Sequence, residues 1–238
     1  MNSIKLKSRL GKIKEQIIET ANSCGRNPNQ IKLVAVSKKH PETKIEEAFY
    51  LGHAIFGESY GQEFRDKHQY FSHHDSLTND LIEWHFVGPL QKNKVKYILG
   101  KASLIHSVAS EKILNYMDQR ARRDGIHQDV LVQINSGMEN SKHGLRPENT
   151  LDFLRKFESC TNLYCQGLMT LPPFFDDPEE VRTYFKIMAD LKNDLNSENL
   201  KNVNLKHLSM GMSSDFKVAI EEGATIIRVG TAIFGPRD

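Results

Sequence analysis

The chain has 238 residues, 39% hydrophobic and 26% charged, with 32 basic against 30 acidic side chains and a formal net charge of +2. That near balance gives no support to a wholesale nucleic-acid binder, and no run approaches the ~20 apolar residues that cross a bilayer. Cys24, Cys160 and Cys165 are an odd number without CxxC spacing, and they read as free thiols of a reducing compartment. The first residues alternate charge with apolar side chains and form no secretory signal, so a cytoplasmic location is expected.

Residues 2–24 carry Ile4, Leu6, Leu10, Ile13, Ile17 and Ala21 near helical spacing, which predicts an amphipathic helix closed by Gly25. Leu33 to Lys38 is a short apolar, β-branched run followed by Pro41, near the first turn of a helix over 42–51. The alternation then repeats. Strands are expected at 54–57, 83–88, 104–108, 129–135, 164–169, 205–209 and 224–229. Helices are expected at 60–71, 93–99, 110–124, 147–158, from Asp177 onward, and at 214–222. A polar loop spans Ser72 to Asp80. Eight strands with helices between them give the count of a (β/α)8 barrel, and the length suits a single domain of that kind over residues 1–238. An open doubly wound sheet gives the same alternation, but no Gly-x-Gly-x-x-Gly follows the first strand. The 2–24 helix would cover the bottom or side of the barrel.

Barrel sites form at the C-terminal ends of the strands. Here those ends carry Lys38 after strand 1, Ser59 after strand 2 and His85 within strand 3. Lys38 shares a strand face with Val34 and Val36. Desolvated there, a lysine can act as a neutral amine toward an aldehyde, although a lysine snorkelling from a strand end has the same pattern. Strands 7 and 8 end in Ser209-Met-Gly211-Met-Ser213 and Arg228-Val-Gly230-Thr231, small-residue loops at helix starts that suit an anion such as phosphate, or plain turn chemistry. Arg228 shares a face with Ile226 and should project into the mouth, where it needs an anion or a structural partner such as Glu58. An amine, an anion cradle and a guanidinium together fit an aldehyde that bears phosphate. Pyridoxal 5′-phosphate (PLP) and imine-forming sugar phosphates both qualify.

Several stretches resemble those of a known family: Ala35-Val-Ser-Lys38, Phe56-Gly-Glu58, Trp84-His-Phe-Val-Gly-Pro-Leu-Gln-Lys-Asn-Lys94, Gly167-Leu-Met169, Ser209-Met-Gly-Met-Ser213 and Arg228-Val-Gly-Thr-Ala-Ile-Phe-Gly235. They are similar to the pyridoxal phosphate homeostasis proteins (the YggS family), from about residue 30 to the C-terminus. That family is similar in turn to the barrel domain of alanine racemase, the fold type III cofactor enzymes. The resemblance implies a Schiff base between PLP and Lys38, Arg228 facing the pyridine nitrogen, and phosphate near Ser209, Gly230 and Thr231. Ser59 departs from the pattern, since asparagine is usual there, and any contact its amide makes to the cofactor is lost. Gly61 and Lys92 also depart from it.

Racemisation needs an acid/base on each face of the substrate carbon. Lys38 can serve one face, while Tyr60 and His207 are poor candidates for the other, and the chain ends just after strand 8 without the second domain that supplies this base in racemases. The expectation is therefore a monomeric holder of PLP, non-catalytic or only feebly catalytic, with PLP-dependent apo-enzymes as partners. The alternative is an amino-acid racemase that borrows its second base from a partner subunit. A nucleic-acid module would rest on Lys92, Lys94, Lys96, Arg120, Arg122 and Arg123, but charges so spaced scatter over a solvated face. His68, His73 and His74 complete no metal spacing, so no metal is expected.

Overall fold

The computed structural model describes residues 2–74, 77–138 and 143–236, so positions 75 and 76 of the expected polar loop lie outside the described residues. Eight parallel strands close into a barrel in chain order. They are β1 (Lys32–Val36), β2 (Ile55–Glu58), β3 (Glu83–Phe86), β4 (Leu104–Val108), β5 (Gln128–Ile134), β6 (Leu163–Thr170), β7 (Val203–Ser209) and β8 (Ile226–Val229). Closure is made by β8 lying beside β1, with Val34 opposite Arg228 and Ala35 opposite Val229. The open sheet is thereby excluded.

Alternation along the strands divides the apolar side chains into two layers. Val34, Val36, Leu104, Leu131, Met169 and Ile226 fill the inside of the barrel. Leu33, Ala35, Phe56, Trp84, Phe86 and Ile105 face outward into the core shared with the helices. Each large aliphatic or phenyl side chain among them, taken from water, contributes roughly 1.5–3 kcal/mol. Trp84 is buried in this outer layer and donates its indole N–H to Asn79 at 2.9 Å.

The helices are α1 (Asn2–Ser23), α2 (Glu42–Tyr50), α3 (Gly61–Ser72), α4 (Val95–Ile98), α5 (Glu111–Asp124), α6 (Thr150–Arg155), α7 (Arg182–Asn196), α8 (Phe216–Glu221) and α9 (Thr231–Phe234). Helix α1 lies along the side of the barrel against α2, α8 and α9, burying Leu6, Leu10, Ile13, Ile17 and Ala21. Ile4, expected on that stripe, faces solvent instead, 75% exposed. Four helices are shorter than their periodicity predicts, α8 covering six of the nine residues expected at 214–222. Helix α4 is a single turn, α6 is flanked by 3-10 turns, and Asp177 caps a 3-10 turn before α7 begins. Helix α9, unforeseen in the sequence, turns directly out of β8. No helix among the described residues is long and apolar enough to cross a membrane.

Candidate functional site at the barrel mouth

A cavity of about 390 Å³ opens at the C-terminal ends of the strands. Its wall carries Lys38 from the β1 end, Arg228 from β8, and Ser213, Ser214, Gly230 and Thr231 from the two loops beyond β7 and β8. Val36, Ser59, Val87, Leu171, Phe174 and Met212 supply the rest. The volume lies in the range of small-ligand sites. Among these residues only Lys38 and Arg228 carry a titratable or charged side chain.

Lys38 stands two residues beyond β1, in a turn pinned on both sides. Ser37 donates its hydroxyl to Glu58 Oε1 at 2.6 Å, and its carbonyl accepts from Lys67 Nζ at 2.8 Å. Lys39, which holds a left-handed φ of 62°, donates its backbone N–H to Glu63. Lys67 is buried and joins the two acids, 2.7 Å from Glu58 and 2.8 Å from Glu63. Burial raises the Glu58 carboxyl to about 7, against the lowering influence of Lys67. Its second oxygen, Oε2, has no hydrogen-bond partner among the described residues. The expected alternative of a Glu58–Arg228 ion pair is thus corrected, because Lys67 occupies Glu58.

Arg228 is buried on the neighbouring strand β8, which pairs with β1. It donates to Ser209 Oγ at 2.5 Å and to the carbonyl of Thr170 at 2.8 Å. Burial lowers it to about 10, with Asp215 acting to raise it. Asp215 is the residue before α8, and its carboxylate accepts the backbone N–H of Met212. Ser213 Oγ accepts from Ala232 N at 3.4 Å, which ties the β7 loop to the β8 loop. Helices α8 and α9 have six and four residues, so their dipoles are slight, and the anion chemistry there rests on hydroxyls and backbone N–H groups.

Lys38, Arg228, Gly230 and Thr231 therefore line one cavity, while Ser209 and Gly211 lie behind its wall. Ser209 Oγ is engaged by Arg228 and by His106 Nδ1 at 2.9 Å. Gly211 has φ 91°, and a Cβ there would fall 2.6 Å from the Ala219 side chain, so it lets α8 pack against the β7 end. Ser213 and Ser214, in the wall, belong to the predicted loop but were not singled out. Tyr60 is 48% exposed outside the cavity. His207 bonds Thr225, and burial lowers it to about 4. Lys67 and His106 were missed altogether. Glu63 and Lys67 stand at i and i+4 in the sequence, but that spacing alone indicates a surface pair. A histidine centred in the apolar stretch 104–108 was the available signal for His106. No group of metal-binding side chains occurs among the described residues, and the three cysteines are unbridged.

Fold and site together define a class: a (β/α)8 barrel presenting an amine and a guanidinium across one mouth cavity. The family model for the alanine racemase N-terminal domain matches residues 9–238. A pyridoxal phosphate homeostasis protein of Aquifex aeolicus is 43% identical over 229 residues, 96% of this chain and 97% of that protein. One from Escherichia coli K12 is 34% identical, covering 96% and 95% respectively. Among solved structures, PipY of Synechococcus elongatus with PLP bound superimposes at a TM-score of 0.82, with 29% identity over 97% of this chain and all of that one. The chain belongs to the alanine racemase N-terminal domain family, and within it to the pyridoxal phosphate homeostasis proteins.

Proposed function

We propose that this protein binds PLP at the barrel mouth and serves cytoplasmic PLP homeostasis as a reversible holder. What carries the reading is that Lys38 and Arg228 share one cavity that is also lined by small hydroxyl and glycine residues. PLP supplies an aldehyde that forms an imine with an amine, a pyridine nitrogen and a phosphate. Lys38 is the covalent anchor. Arg228 offers its remaining N–H groups to the pyridine nitrogen. Ser213, Ser214, Gly230 and Thr231 take the phosphate, while Ser209 and Gly211 shape that wall from behind. Ser59, shorter than the family's asparagine, leaves room at the rim. The neighbour with PLP bound supports this choice over a sugar phosphate.

The holder reading is preferred to racemisation because, among the described residues lining the cavity, none beside Lys38 is a ready second proton carrier. A cationic arginine beside the pyridine nitrogen also disfavours its protonation and weakens the ring as an electron sink. PLP-dependent apo-enzymes are the recipients in this account, and the protein works as a monomer.

The test is to load purified protein with PLP, reduce with borohydride and map the adduct by mass spectrometry. A visible absorption band and an adduct on Lys38, both lost in Lys38→Ala, are expected. An adduct on Lys39, or loading unaffected by Lys38→Ala, would overturn the assignment. Rapid interconversion of D- and L-amino acids would overturn the holder role in favour of a racemase.

A further inference from the structure

A continuous line of polar contacts crosses the barrel from its lower rim to the mouth. Lys32 Nζ donates to Glu83 Oε1 at 2.6 Å, and that oxygen lies 2.9 Å from His85 Nε2. His85 Nδ1 is 2.8 Å from His106 Nε2, and His106 Nδ1 is 2.9 Å from Ser209 Oγ, which also accepts from Arg228. Both imidazoles, Ser209 and Arg228 are buried.

The two ends dictate where every hydrogen sits. The hydrogen bond from His85, with Lys32 helping, draws the Glu83 carboxyl down to about 2, so it is ionised and can only accept. His85 Nε2 therefore carries hydrogen. Burial lowers the proton affinity of both rings, so each is neutral with one N–H. His85 Nδ1 is then a bare acceptor, and His106 Nε2 must donate to it. His106 Nδ1 is bare in turn and accepts the Ser209 hydroxyl hydrogen. A guanidinium only donates, so Arg228 completes a chain in which each hydrogen points toward Glu83.

We propose that Ser209, His106, His85 and Glu83 are positioning residues that hold Arg228 toward the cofactor ring through a one-directional hydrogen-bond chain, with both imidazoles in the Nε2–H tautomer. Its bearing on the cofactor rests on the PLP reading above, whereas the tautomers do not. A buried guanidinium without a contact carboxylate needs compensating dipoles. Aligned hydrogen bonds ending on Glu83 supply them and strengthen one another. For His106, its neighbour His85 from β3, Arg228 from β8 and His207 from β7 oppose a proton; for His85, Lys32 from β1 opposes one and Glu83 from β3 favours it. The two imidazoles therefore stay neutral through the working pH range.

Nitrogen NMR of the imidazoles in cofactor-free protein tests the order directly. Nε2–H on both rings, unchanged from about pH 6 to 8, is expected. An Nδ1–H tautomer or an imidazolium on either ring overturns the chain. In PLP-loaded protein, Ser209→Ala and His106→Leu should shift the pH midpoint of the visible band and weaken PLP retention about tenfold, the loss of one charge-assisted hydrogen bond. Ser209→Thr, which keeps the hydroxyl, should restore both. A wild-type band and pH profile in Ser209→Ala overturns the positioning role, even where Lys38 trapping succeeds. Failure of Lys38 trapping with the tautomers intact instead overturns the PLP reading. Should either variant fail to fold, the wild-type spectrum still decides the order.

Discussion

On the β1–β2 side of the mouth, Lys67 sits in direct contact with two carboxyl groups, Glu58 at 2.7 Å and Glu63 at 2.8 Å. On the β7–β8 side, Arg228 touches a hydroxyl and a carbonyl, and the acid at the end of its hydrogen-bond chain lies three side chains away. The first arrangement secures a stretch of backbone, because its partners include the Ser37 carbonyl and the Lys39 N–H. The second secures the direction of one side chain. Contact pairing makes a site depend on each member, since a lost partner strands a buried charge. Pairing through neutral dipoles spreads the dependence along the chain and leaves the remaining guanidinium N–H groups free to face a ligand.

Removing Lys67 tests that contrast most severely. Lys67→Met leaves Glu58 and Glu63 without their shared cation, Glu58 being fully buried. A loss of about 3–5 kcal/mol in urea unfolding is expected, the usual cost of breaking a buried pair from one side. The double variant Lys67→Met/Glu58→Gln should recover much of it, because the stranded charge is then gone. A single variant as stable as the wild type would mean that the cluster is not under electrostatic tension.

The two sides should also respond to pH with opposite sign. Burial raises Glu58 to about 7, so the folded state binds its proton more tightly than the unfolded chain. Its contribution is full below the ordinary carboxyl value near 4.5 and is lost as pH rises through about 7, on the order of 3 kcal/mol. Glu83 behaves in the reverse way. Drawn down to about 2 by the His85 hydrogen bond, it stabilises above 4.5 and that contribution is lost as pH falls toward 2. His53, which burial lowers to about 4, adds stability as pH rises toward 6.5 and partly masks Glu58 in the wild type. The measurement is therefore the stability of wild type minus Glu58→Gln across pH 4.5–7. This difference should fall with increasing pH, and a flat difference would refute the raised Glu58.

These two sides differed in how far the sequence disclosed them. The barrel, the order of its eight strands, and the placement of Lys38 and Arg228 in one mouth followed from alternating β-branched runs, whose period survives packing. The Glu58–Lys67 contact did not, because i, i+4 charges such as Glu63 and Lys67 look alike whether α3 shows them to water or to the β1 turn. Helix α9 was hidden for a different reason. Thr231 to Phe234 is one turn, too short for periodicity to register. Ser209 was read as a ligand contact from its loop, yet its hydroxyl points toward His106, a direction set by β4 across the barrel and invisible to local pattern.

The finest discrimination between the two sides comes from Ser37→Ala. The Ser37 hydroxyl is one of two donors to Glu58 Oε1, Lys67 being the other. Its removal keeps the ion pair and strands no charge, so the cost should be about 1–2 kcal/mol, well below that of Lys67→Met. The hydroxyl favours the ionised carboxylate, so losing it should raise Glu58 further and move the decline in stability to higher pH. The Arg228 side should be untouched, because the Ser37 hydroxyl bonds Glu58 and not a member of that chain, and the imidazole NMR signals of His85 and His106 should coincide with those of the wild type. A change in those signals would show that the two walls of the mouth are mechanically joined through β1, whose Val34 lies opposite Arg228.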